Sequence, residues 1–353
     1  MCKISVIATV YKMELYLDRF LKSVEEQLLD DFEVILIDDG SPDRCPAKLD
    51  EFARNRTYCK VIHQQNQGVC AARNNGIQHA KGEYVFIVDS DDWLADNALT
   101  NLWNAALETN ADIVYGQTYI EFETKTVLEK PFPHSFVTED RRSIKEIHCA
   151  LNNNNLIKTD SPDFSYISYL GGAPWRAMVR KSIIVDNSIK YDVSLTLGED
   201  ILFWQNVYDH VNRVTYIETP IYHYRFVRNS LSHGYKKGLL QIYDRVFNAE
   251  ESYLTATNKD RDHWEAYYFR VVIYIRQAVF YLFLNSGNSR EGNYTQFINM
   301  LKKNPYRTAI REVNLNKLVK NTTKLPIFLL KTGQYRLYWH LLIINEKRRK
   351  HRG

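Results

Sequence analysis

The chain of 353 residues is 45% apolar and 25% charged, with 14 glycines and 9 prolines, which excludes disordered, collagen-like and disulfide-scaffold architectures. At about 100–200 residues per domain, its length implies two domains, or one large domain with an appendage. Net charge is +4, but residues 221–353 hold 24 Lys and Arg against 9 Asp and Glu, and residues 1–220 hold 22 against 33, so an acidic part precedes a basic one.

Strand and helix signals alternate over residues 1–115. Apolar, β-branched runs lie at Ile4–Val10, Val34–Ile37, Val61–His63, Tyr84–Val88 and Ile113–Tyr115. Helical stretches are expected at Glu14–Leu28, Pro46–Arg54, Val69–Ala80 and Asp96–Glu108, giving repeated βαβ units and a parallel sheet covered by helices. The pattern weakens from Thr118 to Pro174, where NNNN at 152–155 and DSPDFS at 160–165 read as loop. Helices are expected again at Trp175–Val185 and Ile201–His210, with a strand near Val214–Tyr216. From Lys236 the chain reads as helical, Tyr267–Leu284 being a packed core helix, and the domain boundary is placed near 228–238.

The five cysteines (Cys2, Cys45, Cys59, Cys70, Cys149) are scattered without a CxxC pair, so reduced thiols are expected rather than zinc or redox chemistry. MCKISVIATVY reads as a first strand and not as a leader. No stretch reaches the roughly 18 apolar residues of a membrane span; the nearest, Val271–Leu284, is interrupted by Arg276 and Gln277. A soluble, cytoplasmic protein is expected.

Ligands of open parallel sheets bind beyond the carboxyl ends of the strands, and here those ends are acidic. The first strand brings Thr9 and Tyr11 to the crevice mouth, or ends without a role. The second ends in LIDDGSPD, where Asp38 and Asp39 precede a turn at Gly40; Asp39 suits a base N–H or ribose hydroxyl, with helix capping as the alternative. No GxGxxG follows the first strand, so this is not a dinucleotide fingerprint. The fourth ends in VDSDDWL, and three carboxylates (Asp89, Asp91, Asp92) so close together need a cation or donors. A magnesium or manganese site for a diphosphate is the economical reading, a solvated acidic loop the other. Gly68 and the helix behind it aim N–H groups at the crevice, and Arg73 suits a phosphate or base, or lies on the surface. Glu199-Asp200 opens a helix, where Asp200 either caps it or accepts a proton from a hydroxyl. His223, Arg225 and Arg228 interleave with aromatics as a phosphate grip or a solvated strand end.

Read in order, SVIATVY, EVILIDDGSPD, NQGVCAARNNGIQHAKGEYVFIVDSDD, APWRAMVRKSII, LGEDILFW and YHYRFVRNSLS resemble the family 2 glycosyltransferases over residues 3–232, in particular the bacterial enzymes of capsule, exopolysaccharide and lipopolysaccharide synthesis. The resemblance implies an α/β fold of the GT-A (Rossmann-like) type, a mostly parallel sheet flanked by helices over 1–230, followed by a basic helical region over 231–353. It implies that Thr9, Tyr11 and Asp39 line the base pocket, usually for uracil, with Arg73 near the nucleotide. Asp89 would meet the ribose. Asp91, with Asp92, would hold Mn2+ or Mg2+ on the donor diphosphate. Asp200 would be the base for the acceptor hydroxyl, while Trp175 and Arg176, together with Glu199, His223 and Arg225, would serve the acceptor or diphosphate. The QxxRW block and membrane helices of processive synthases are missing from the sequence, so a polymerising synthase is not expected.

The implied reaction is metal-dependent transfer from a nucleotide-sugar, most often a UDP-sugar, to a hydroxyl of a glycan or lipid-linked acceptor, with inversion in one displacement. A sugar-nucleotide pyrophosphorylase is the rival enzyme, although ATVYKMELY lacks its glycine-rich loop. A nucleic-acid binder or scaffold built on the basic region is the non-catalytic rival, without a nucleic-acid signature to support it. The terminal stretch from Pro326, rich in leucine and aromatics and ending in KRRKHRG, suggests peripheral contact with an anionic membrane or a packed helix with a basic tip.

Overall fold

The computed structural model describes residues 2–152, 157–168, 170–226, 238–280, 290–315 and 321–350. The chain divides into two compact units, Met1–Leu151 with Lys158–Arg228, and Asn152–Ile157 with Asn229–Gly353. Most of the expected boundary at 228–238, and Arg228 itself, lie outside the described residues.

The first unit is built on a ten-stranded sheet. Its strands are β1 (Ile4–Val10), β2 (Glu33–Asp38), β3 (Cys59–His63), β4 (Tyr84–Asp89), β5 (Trp93–Leu94), β6 (Ile113–Glu121), β7 (Thr126–Glu129), β8 (Phe136–Thr138), β11 (Ala177–Arg180) and β12 (Val214–Arg225); β9 (Ile157–Lys158) and β10 (Tyr166–Ile167) form a separate ribbon. The helices of this unit are α1 (Leu17–Glu25), α2 (Cys45–Ala53), α3 (Val69–His79), α4 (Ala98–Thr109), α5 (Arg141–Ala150), α6 (Lys181–Asp186) and α7 (Glu199–Tyr208). Strand order is β3-β2-β1-β4-β11-β6-β12-β5. The first four strands are parallel, in a register that pairs Val10 with Asp38 and Thr9 with both Ile37 and Asp89. The chain steps from β1 out to β3 on one side and returns to place β4 on the other. The acidic ends of β2 and β4 therefore flank the end of β1, at the point where the strand order reverses.

Covering both faces makes the central strands nearly continuous apolar runs. Ile4, Val6, Ala8 and Val10 alternate onto one face and join a core with Leu17, Phe20, Leu21 and Val24 of α1, which recur at the spacing of one helix face. Ile7 points to the other face, beneath α3. There a Cβ on Gly76 would overlap the Ile7 Cγ2 methyl, so only glycine lets α3 lie this close to the sheet.

Two expectations fail within the first unit beyond residue 115. Trp175–Val185 is not one helix: a 3-10 turn at Pro174–Arg176 leads into β11, which runs antiparallel between β4 and β6, and only then into α6. Its four residues carry no alternation, and burial between two strands decides what local pattern leaves ambiguous. The stretch 118–174 is more regular than expected. β6 continues to Glu121 and pairs with β7, β8 pairs with β12, and α5 is capped by Asp140 Oδ1 accepting from Ser143 N at 2.9 Å. Residues 160–165 lie outside any helix or strand, as expected; 153–156 lie outside the described residues.

The described part of the second unit is helical: α8 (Leu239–Ala256), α9 (Arg261–Ala278), α10 (Arg290–Leu301), α11 (Tyr306–Glu312), α12 (Asn321–Lys331) and α13 (Tyr335–Lys350). Tyr267, Val271, Val272, Tyr274 and Ile275 bury the face of α9, and Phe247, Tyr267, Tyr274 and Tyr306 meet edge to face. The rest of the expected core helix, 281–284, lies outside the described residues. The terminal stretch is two helices and not one, broken at Gly333, whose φ of +72° is left-handed.

Candidate active site

The end of β2 is a hydrogen-bonded turn. Asp38 Oδ1 accepts from Ser41 N at 2.9 Å, and its Oδ2 lies 2.9 Å from His63 Nδ1, whose Nε2 is 3.1 Å from Asp50 Oδ1. These bonds hold the His63 pKa above its ordinary value. Asp39 is buried, with Oδ1 accepting from Gln64 Nε2 at 2.8 Å and Gln67 N at 2.9 Å, and Oδ2 from Gly68 N at 2.8 Å. Gly40, at φ +71°, passes so close to the same loop that a Cβ would lie 2.9 Å from Asn66 N. Asp39 therefore sets the loop that launches α3. Thr9 is the penultimate residue of β1, and the exposed Tyr11 just beyond the strand carries Lys12 Nζ 5.0 Å from its ring.

The end of β4 is different. Arg73, 5% exposed, reaches from α3 with Nη2 3.0 Å from Asp89 Oδ1 and Nη1 2.6 Å from Asp200 Oδ1 and 3.4 Å from Glu199 Oε1. One guanidinium thus joins the aspartate that ends β4 to the acidic start of α7. Burial works against the charge on Arg73, but Asp200, Asp89, Tyr191 and Glu199 outweigh it and raise its pKa well above the ordinary value. Burial, then the charges of Glu199 and Asp89, push Asp200 well above the usual carboxylate range, with Arg73 pulling the other way.

Asp91 forms no ion pair with a described side chain, and burial, then the charge of Asp89, raise its pKa to about 6. Asp92 turns inward: Oδ1 accepts from Arg225 N at 2.7 Å and Oδ2 from the Tyr222 hydroxyl at 3.1 Å. Tyr222 also receives Asp89 N at 3.1 Å, so Asp92 and Tyr222 together brace the turn after β4 against β12. Both oxygens of Asp92 are engaged by the chain. Among the described residues no three His, Cys, Asp or Glu side chains converge as a metal-holding group. Asp91 has the chemistry of a hard-cation ligand, and a cation that takes one or two carboxylates with substrate oxygens suits it.

The remaining sequence candidates divide. His223 is stacked between Trp93 and Tyr119 with Nδ1 2.7 Å from Glu121 Oε1, and the Arg225 guanidinium lies 4.9 Å from both Trp93 and Tyr16. These two stand beside the Asp91–Asp92 turn. Trp175 is a core residue, stacked on Tyr222 at 4.9 Å and 7°, and Arg176 pairs with Glu129 at 3.0 Å. Sequence reasoning passed over Gln64, Asn74, Tyr191 and Tyr222. Only NQG before α3, a polar loop opening on glycine, hinted at the first.

A parallel sheet that reverses order at β1/β4, with acidic strand ends and a carboxylate delivered from a later helix, is a glycosyltransferase scaffold of the GT-A type. The family model "Glycosyl transferase family 2" matches residues 5–168, just under half of the chain. It is 28% identical over 264 residues to the putative glycosyltransferase EpsH of Bacillus subtilis, covering 72% of this chain and 70% of the relative. It is 31% identical over 223 residues to the cholesterol galactosyltransferase of Borreliella burgdorferi, with 62% and 59% covered. The crystal structure of Staphylococcus aureus TarS 1–349 in complex with UDP-GlcNAc superimposes with a TM-score of 0.66 at 20% identity, over 98% of this chain and 92% of that one. The chain is thus an enzyme of sugar transfer, which sets aside the pyrophosphorylase and scaffold readings.

Proposed function

We propose that the protein transfers a sugar with inversion from a nucleotide-sugar, a UDP-sugar first among candidates, to a hydroxyl of a glycan or lipid-linked acceptor in bacterial surface polysaccharide synthesis. The observation that carries this reading is the single Arg73 guanidinium joining Asp89 and Asp200, which sets a donor-side and an acceptor-side carboxylate in one cluster. The UDP-GlcNAc bound by TarS and the relatives' names support the donor class and pathway.

In this reading Thr9, Tyr11 and the Asp39 turn receive the base, and Asp89 the ribose. Asp91 would hold Mn2+ or Mg2+, which would supply positive charge to the departing diphosphate. Asp92 keeps that turn in place, and His223 and Arg225 border it. The acceptor oxygen attacks the anomeric carbon as the bond to the diphosphate oxygen breaks. Asp200 takes the hydroxyl proton, and the nucleoside diphosphate leaves. A single base and a leaving group on the opposite face give inversion, unlike the paired carboxylates of retaining glycosidases.

A screen of UDP-, GDP- and TDP-sugars for binding and turnover, with and without manganese, tests the assignment. Turnover that Asp200→Asn leaves at the wild-type rate would remove it.

A peripheral membrane role rests on a separate observation. No described helix is long and apolar enough to cross a membrane, yet Leu325 and Phe328 of α12 and Leu337 and Ile344 of α13 are exposed in the basic C-terminal part of the chain. We assign these helices to the surface of an anionic, cytoplasmic-side membrane. Equal co-sedimentation with neutral and anionic liposomes, or none with either, rejects this assignment.

A further inference from the structure

The face of α3 that turns toward the 191–200 segment is made of Cys70, Arg73 and Asn74, at the i, i+3, i+4 spacing of one helix side. Each makes a bond to that segment. Cys70 Sγ donates to Leu195 O at 3.4 Å. Asn74 both donates to Tyr191 O at 2.9 Å and accepts from Tyr191 N at 2.8 Å. Arg73 takes Glu199 and Asp200, and its guanidinium also lies 5.2 Å from the Tyr191 ring, which is itself stacked on Phe203 of α7 at 4.0 Å. The start of α7 is thus seated on α3, and Arg73 is the charged member of the seat.

We infer that Arg73 is a positioning residue for proton transfer: it fixes the base Asp200 in place against the donor-side Asp89 and does not itself hold the nucleotide. The inference rests on the reading of Asp200 as base. Its geometry is explicit. Nη1 is taken by Asp200 and Glu199 and one N–H of Nη2 by Asp89, while Nε is buried without a partner, so the donors that are bonded all go to carboxylates of the protein. Only the planar fork of arginine reaches two carboxylates on different elements at once. Among the described residues the groups facing Asp200 are Arg73 from α3, Glu199 from α7, Asp89 from β4 and the Tyr191 ring system, and Arg73 is the cation of that set. Its charge favours the ionised, proton-accepting form of Asp200, against burial first and then the charges of Glu199 and Asp89.

The test uses the full chain, UDP with Mn2+ as the binding probe, and turnover of the donor that the screen selects. Arg73→Gln is expected to lower kcat about 100-fold or more, to leave UDP affinity within about threefold, and to move the acid limb of the kcat profile upward by about one pH unit or more. Arg73→Lys is expected to bring the limb back toward wild type while kcat stays low, because one ammonium restores charge but not the span between carboxylates. Glu199→Gln removes an opposing negative charge and moves the same limb downward. Opposite shifts from the two neutralised neighbours are not what a loss of folding produces. Thermal melting identifies any Arg73 variant that fails to fold, and Glu199→Gln then decides. Lost UDP binding in Arg73→Gln with an unmoved limb, or an unmoved limb in Glu199→Gln, overturns the inference. Undiminished transfer by Asp200→Asn would instead overturn the base assignment beneath it.

Discussion

At the end of β2, two adjacent carboxylates meet a full set of donors. Asp38 has Ser41 N and His63, and Asp39 has two backbone N–H groups and the Gln64 amide. Across β1, at the end of β4, three carboxylates are treated unequally. Asp89 shares Arg73 with another element, Asp92 is consumed by Tyr222 and the β12 backbone, and Asp91 has no ionic partner among the described residues. The difference separates two uses of the same residue type. Where donors saturate a carboxylate it shapes the backbone, and where they run short a buried negative charge is left for a ligand to meet.

Four measurements press on this contrast. The largest effect is expected of Asp200→Asn: transfer falls by about 10²–10⁴-fold while UDP binding stays near wild type, since the variant keeps the shape beside Arg73. Asp39→Ala strands two backbone N–H groups and the Gln64 amide. Its unfolding free energy in urea is expected to drop by about 2–4 kcal/mol, with nucleotide affinity falling alongside; a fold left at full stability would deny Asp39 its part in shaping the loop. Asp91→Asn is expected to do the reverse. Removing a partly buried charge that no described side chain pairs raises the stability of the metal-free protein by about 1–2 kcal/mol, and the rise in melting temperature that Mn2+ and UDP together give to the wild type disappears. Destabilisation by Asp91→Asn would erase the distinction between the two strand ends.

The smallest effect concerns His63. Its folded pKa is raised by hydrogen bonds to Asp38 and Asp50, so its contribution is complete below the unfolded value, near 6.5, and is lost as pH rises through the folded one. The ring is well exposed, which keeps the effect modest. Stability of the wild type should therefore decline relative to His63→Gln from about pH 6 upward, and parallel curves would show that the imidazolium contributes nothing.

The βαβ half was legible because its strands are buried on both faces and read as unbroken apolar runs: β1 falls at Ile4–Val10 in sequence and structure alike. β11 was not, since four residues inserted between two strands owe their conformation to neighbours distant in sequence. The carboxylates of the site stood out by their place after strands. What eluded the sequence was their partnering. Nothing in VDSDDWL tells that Asp92 turns in and Asp91 does not, because Tyr222 and Arg225 arrive more than a hundred residues later. In the same way ARNNG reads as an arginine free for a phosphate until α7 brings Glu199 and Asp200 against it.

Gly76 touches neither sugar nor nucleotide in this scheme, yet it lies three residues past Arg73 on the same helix and directly over Ile7. An added methyl would act as a shim between α3 and β1, tipping the helix and carrying the guanidinium off its carboxylates. The alignment of the chemistry is thereby gauged from beneath, by the thickness of one hydrogen atom against the sheet.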